Sequence, residues 1–152
     1  AITAIGPDRP GGAVGTAMRA AIPGAMSEDS RVAIRALAGF GNALTGPGEG
    51  HGAAAQALFG ASLATRPRVR SAVFRRDVGH DETLAALDVP TLVLHGTADT
   101  VVDVSAGRHT ASVVPGASTS WWEGVDHGPF VADPARFLGE VTDFVDAVDR
   151  RT

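Results

Sequence analysis

The sequence predicts an α/β fold with a parallel sheet, and three observations carry that prediction. Thr91-Leu92-Val93-Leu94-His95 is β-branched and apolar without alternation, the pattern of a strand covered on both faces. Ser118 to Trp122 reads as a second strand, and the helical stretch Val104 to Val113 separates the two. The chain then runs into a helix whose apolar stripe is Phe137, Leu138, Val141, Phe144, Val145 and Val148, with Glu140, Asp143, Asp146 and Asp149 outside it. Strand, helix, strand, helix is the order in which parallel α/β sheets are built.

The elements follow in chain order. Ala1 to Ile5 is a short apolar run that stops at Gly6-Pro7-Asp8-Arg9-Pro10-Gly11-Gly12, a cluster of turn residues; residues 1–12 read as the end of a core strand and a loop. Residues 13–80 read as small helices with generous loops. Ser27-Glu28-Asp29-Ser30 supplies a helix start, followed by Ile34, Leu37 and Phe40 at helical spacing. A further helix places Ala55, Leu58, Phe59 and Ser62 on one face and is closed by Pro67. The five arginines between Arg66 and Arg76 form a solvated helix face. Asp81 is an N-cap for a short helix through Leu87, and Val89-Pro90 leads into the first strand of residues 81–152. Asp103 caps the following helix, Pro115-Gly116 stops it, and Asp133-Pro134 is an N-cap with proline at the first helical position of the last one.

Composition limits the function classes. A chain of 152 residues is one domain with one modest core. Thirteen basic side chains, all arginine, stand against seventeen acidic ones, for a net charge of -4. That balance argues against nucleic acid and against a polybasic membrane anchor, both of which need clustered positive charge. There is no cysteine, which excludes disulfides, a thiolate nucleophile and a zinc ribbon but leaves the compartment open; a cytoplasmic location is the expectation. No stretch approaches the ~18 uninterrupted apolar residues of a membrane span.

Chemistry in an open parallel sheet sits beyond the carboxyl ends of the strands. Two segments leave those ends: His95-Gly96-Thr97-Ala98-Asp99 and Glu123-Gly124-Val125-Asp126-His127-Gly128-Pro129-Phe130. A right-handed crossover brings both to one edge, so an Asp and a His meet. A carboxylate beside an imidazole fixes its tautomer and stabilises the imidazolium, which is half of a nucleophilic triad.

At this point the sequence resembles the α/β-hydrolase family. The resemblance is carried by residues 87–102, by Val114-Pro115-Gly116-Ala117, by Gly124-Val125-Asp126-His127-Gly128-Pro129-Phe130 and by residues 133–138, in order and at the family's spacing. It covers about residues 81–148, and Ser105-Ala106-Gly107 with His127-Gly128 look most like the haloperoxidase-like and esterase branch. It implies Asp99 as the triad acid, His127 as the base, residues 13–80 as the helical cap and residues 81–152 as the carboxyl-terminal part of the core. Phe130 becomes a substrate-pocket residue. The implied reaction is ester hydrolysis of a small-molecule substrate, with no cofactor and no metal. Epoxide, carbon–carbon and haloperoxidase-like chemistry are the family alternatives.

The sequence departs from the family at the nucleophile. The family's G-x-S-x-G elbow lies between a strand and a helix and precedes the acid. The nearest match, Gly60-Ala61-Ser62-Leu63-Ala64, follows a helical run, so Ser62 is set aside; the oxyanion-hole loop is missing too. The expectation is a carboxyl-terminal half whose nucleophile lies outside the chain, inactive alone and self-associating through a sheet edge exposed at Ala1 to Ile5. The rival is a non-catalytic remnant acting as a ligand-binding or interaction module. Among other candidates, Asp126 adjoins His127 and points elsewhere, His95 is a packed, hydrogen-bonded residue, and Trp121 and Trp122 belong to the core. His95, Asp99 and Asp103 form no metal site, because their spacing suits a helix and they lie in a loop. Met18, Met26, Phe40 and Leu44 suit a cavity beneath the cap or plain helix contact.

Overall fold

The computed structural model describes residues 11–45, 52–75 and 79–150. The expected strand at Ala1 to Ile5 lies outside them, as does His51. Helices dominate the amino-terminal part: α1 (Thr16–Ala25), α2 (Ser30–Thr45), α3 (Gly52–Ala64) and α4 (Pro67–Arg75). Asp29 caps α2, accepting from the Arg31 and Val32 amides at 2.8 and 3.4 Å. The buried face of α2 is Ala33 and Leu37, against Ala21 and Ala25 of α1, whereas Ile34 is exposed. The sequence pattern had put Ile34 on the inner face. Small residues at i and i+4 let the two helices approach instead.

Two further expectations here are corrected. Pro67 does not close a helix; α3 ends at Ala64 and Pro67 opens α4, where a missing amide costs nothing. Nor are all the arginines solvated. Arg70 is half-buried and donates through Nε to Ala25 O at 2.7 Å and through Nη1 to Ser62 O at 2.8 Å and to Thr65 O. It adds donors to carbonyls at the carboxyl ends of α1 and α3, where intrahelical donors run out.

The second part is the α/β unit: α5 (Asp81–Ala85), β1 (Leu92–Gly96), α6 (Val104–Val113), β2 (Ser118–Trp122), α7 (Pro129–Ala132) and α8 (Pro134–Asp149). β1 and β2 are parallel neighbours in the register Leu92↔Ser118 to Gly96↔Trp122. Asp103 caps α6 through the Ser105 amide at 2.9 Å, and Asp133 caps α8 through the Arg136 amide at 3.0 Å, with Pro134 first in the helix. Asp81 is not the N-cap of α5. His80 holds that position, and Asp81 in the first turn pairs with His109 Nε2 of α6 at 2.9 Å.

The core is small and centred on Trp122, which is 1% exposed. Its indole N–H reaches Ser120 Oγ at 3.1 Å and Glu140 Oε2 at 3.0 Å, and the Arg136 guanidinium lies 4.0 Å from the ring centroid. Glu140 therefore belongs to the β2–α8 contact and not to a solvated face. Within the stripe of α8, Leu138 and Val145 are exposed, and in β1 only Val93 and Gly96 are buried. Among the described residues the sheet consists of these two strands.

Candidate active site

Parallel pairing sends the segments after β1 and β2 out of the same end of the sheet, and they are tied together there. Thr97 N donates to Trp122 O at 2.9 Å, Ala98 N to Val125 O at 3.0 Å, and Gly124 N to Thr97 Oγ1 at 2.9 Å. Gly96 makes this closeness possible: a Cβ there would lie 2.2 Å from Val125 O and 2.4 Å from Asp126 O. Asp126 adds a second tie, its Oδ1 accepting from Thr100 N at 2.8 Å and from its own neighbour, His127 N, at 2.8 Å. As its adjacency to His127 requires, the Asp126 carboxylate turns away from the ring.

Asp99 sits where the two segments meet and is 8% exposed. Oδ1 accepts from the Val101 and Val102 amides, both at 2.8 Å. Oδ2 lies 2.8 Å from His127 Nδ1. A carboxylate cannot donate, so Nδ1 carries the proton and Nε2 is left as the acceptor in the neutral ring. Burial opposes ionisation of Asp99, but the interactions with His127, His95 and the Val102 amide outweigh it and hold the carboxyl far below the usual carboxylate range. Asp99 is thus a fixed anion.

The His127 side chain is 35% exposed, and among the described residues Nε2 has no hydrogen-bond partner. The ring borders a cleft of about 420 Å³ whose lining includes Leu94 and His95 of β1, Pro129 and Phe130. Phe130 is 51% exposed and stands edge-on to Phe137, with ring centroids 6.1 Å apart. The site has an electrostatically fixed acid, an oriented imidazole and an accessible ring nitrogen beside an apolar wall. Such a pair can take a proton from a hydroxyl and return it to a leaving group.

The structure brings together Asp99, His127 and Phe130, the three residues singled out from sequence. Ser62 is elsewhere, lining a separate cavity of about 180 Å³ between the helices with Met18, Met26 and Arg70. The side chains of Phe40 and Leu44 lie outside the described residues. Two contributors were not anticipated. Thr100 is one; its position beside a loop Asp carried no distinct signal. The other is the start of α1 with the residue before it: Gly15 N donates to Val101 O at 2.9 Å and Ala17 N to Thr100 O at 2.8 Å, so the root of the helical region grips the loop that carries Asp99. No cluster of three metal-ligating side chains occurs among the described residues, and none of their helices is long and apolar enough to cross a membrane.

The chain is 64% identical to the esterase RhEst1 from Rhodococcus sp. ECU1013, over 95% of this chain and 52% of that one, with a TM-score of 0.89. The fold is that of an α/β-hydrolase. The bromoperoxidase from Bacillus anthracis superposes on this α/β-hydrolase chain at 17% identity, over 95% of this chain and 54% of that one, with a TM-score of 0.74. The non-heme chloroperoxidase CPO-A1 of Kitasatospora aureofaciens is 37% identical over 67 residues, 42% of this chain and 24% of that protein. No family model matches. The chain spans about half the length of these solved structures.

Proposed function

We propose that this chain supplies the acid and base of an ester hydrolase: Asp99 orients His127, and His127 Nε2 activates a serine nucleophile contributed by residues outside these 152. The contact that carries the reading is the 2.8 Å approach of Asp99 Oδ2 to His127 Nδ1, with the rest of the ring facing the cleft. In the acylation step Nε2 takes the hydroxyl proton as oxygen attacks the ester carbonyl, then returns it to the departing alcohol. In deacylation it does the same with water. Asp99 stabilises the imidazolium formed in each step. Phe130 forms part of the wall against which a small apolar acyl or alkyl group rests. The esterase activity named for RhEst1 and the identity of the two chains support ester cleavage over the other chemistries of the fold.

We further propose that a chain expressed alone associates through the sheet edge expected at Ala1 to Ile5, where the remaining strands would add.

The test is a fusion of this chain to the part of RhEst1 outside the matched region, assayed with an activated aryl ester. Turnover is expected in the fusion and absent from the 152-residue chain alone, where no serine among the described residues lines the cleft beside His127. His127→Ala and Asp99→Asn should each lower kcat by about 10²–10⁴-fold, the usual worth of general acid–base catalysis. A fusion that stays as active in His127→Ala as in the parent would refute the assignment.

A further inference from the structure

His95 is the last side chain of β1 before Gly96, and its surroundings are more specific than core packing requires. Its Nε2 lies 2.9 Å from Val102 O and 3.2 Å from Asp99 Oδ2. Both neighbours are acceptors, so Nε2 carries the proton. The hydrogen bond goes to the carbonyl, and the polarised N–H passes beside the carboxylate oxygen that also receives His127. Val102 closes the arrangement: its carbonyl accepts from His95 while its amide donates to Asp99 Oδ1 at 2.8 Å. The opposite side of the ring is seated against α6, where a Cβ on Gly107 would stand 2.7 Å from His95 Nδ1 and 2.9 Å from Cγ. Ring position is therefore set on one side by a backbone carbonyl and on the other by the lack of a side chain.

We propose that His95 is a positioning residue for Asp99: its Nε2–H, anchored on Val102 O, holds the carboxylate in the one rotamer that delivers Oδ2 to His127 Nδ1. This rests on the acid–base reading of Asp99 and His127. The other charged group near His95 is Asp103, already committed to the α6 cap. His95 touches Asp99 and not the reacting atoms, so it acts through the acid. The interaction with Asp99, opposed by burial and aided by the Val102 carbonyl, also raises the basicity of His95 above that of an ordinary histidine.

Three substitutions separate positioning from packing. Gln places an amide N–H near the position of Nε2, whereas Asn is too short to reach Val102 O. Gly107→Ala pushes the ring from behind without removing the N–H. The first readout, on the 152-residue chain, is the low-field NMR resonance of the His127 Nδ1 proton, which reports a short bond to a carboxylate. His95→Gln should keep that resonance, and His95→Asn and Gly107→Ala should lose it. In the RhEst1 fusion the latter two should lose about 10²-fold in kcat with little change in KM, as misplacing a catalytic group by about 1 Å does. If both variants only lower the melting temperature and leave the resonance and kcat intact, His95 is packing alone and the proposal falls. Should His95→Asn fail to fold, Gly107→Ala decides alone by the same two readouts. A parent chain without the resonance, or one whose resonance survives Asp99→Asn, would instead overturn the Asp99–His127 pairing, and the His95 role with it.

Discussion

Gly96→Ala tests whether the junction of the two loops has the geometry described. The added methyl meets Val125 O at 2.2 Å and Asp126 O at 2.4 Å, and both are backbone atoms that no rotamer change can clear. Carbon–oxygen contacts settle near about 3.3–3.6 Å, so the segments must part by roughly 1 Å. That displacement stretches the 3.0 Å bond from Ala98 N to Val125 O beyond hydrogen-bonding range. Overpacking costs about 1–3 kcal/mol and the lost bond about 0.5–1.5 kcal/mol, or about 1.5–4.5 kcal/mol together. For a chain of this size the melting temperature should fall by about 5–15 °C. His127 rides on the displaced segment, so its 2.8 Å contact with Asp99 lengthens by a similar amount, and the fusion should lose activity in parallel. The control is Gly139→Ala in α8, where a Cβ meets nothing within 4 Å. It should be neutral or stabilising by up to about 1 kcal/mol through helix propensity. Thermal unfolding followed by circular dichroism reads both. A Gly96→Ala chain that melts with the parent would show that the loops do not approach as closely as the geometry requires.

Two further outcomes are expected. Asp99 is a carboxyl whose folded pKa is depressed, so its contribution to stability is complete above the ordinary aspartate value of about 3.9 and is lost as pH falls through the folded value. Urea unfolding at a series of pH values should show the parent weakening below about pH 4 more steeply than Asp99→Asn, and equal slopes would remove Asp99 from the acid-sensitive groups. The 152-residue chain should sediment as a concentration-dependent mixture, and Ile2→Lys in the apolar run expected to form the sheet edge should shift it toward monomer, since an edge lysine opposes strand addition. A chain that is monomeric at all concentrations would contradict association through that edge.

Much of the α/β unit was legible because its signals are local. The run Thr91 to His95 has too few polar residues for a solvated strand, Asp103 and Asp133 stand where orphan amides need an acceptor, and proline at position 134 suits the first helical residue. The helices α6 and α8 and the strand β2 accordingly lie where their patterns put them. The helical region was legible only as helical. Ala33 in place of Ile34 on the buried face, Pro67 opening a helix and Arg70 turning inward each depend on which neighbour packs alongside, which no periodicity within one segment contains. The short α7 carries too few residues for a periodic pattern to stand out.

The site divides along the same line. By itself the sequence determined that an Asp and a His leave the ends of two consecutive parallel strands, because residue type, strand pattern and connection length are properties of the chain alone. The resemblance named Asp99, but only the tertiary structure shows the contact that sets it apart from the other two candidates. Asp99, Asp103 and Asp126 are chemically identical, and they are separated by what surrounds them. Asp103 is taken up by the Ser105 amide and Asp126 by Thr100, while Asp99 is buried with two amides on one oxygen and two imidazoles near the other. The reason is physical: the energy of a carboxylate depends on distances to donors that are remote in sequence, and a donor 28 residues away comes within 2.8 Å only after β1 and β2 have paired and Gly96 has let their loops close.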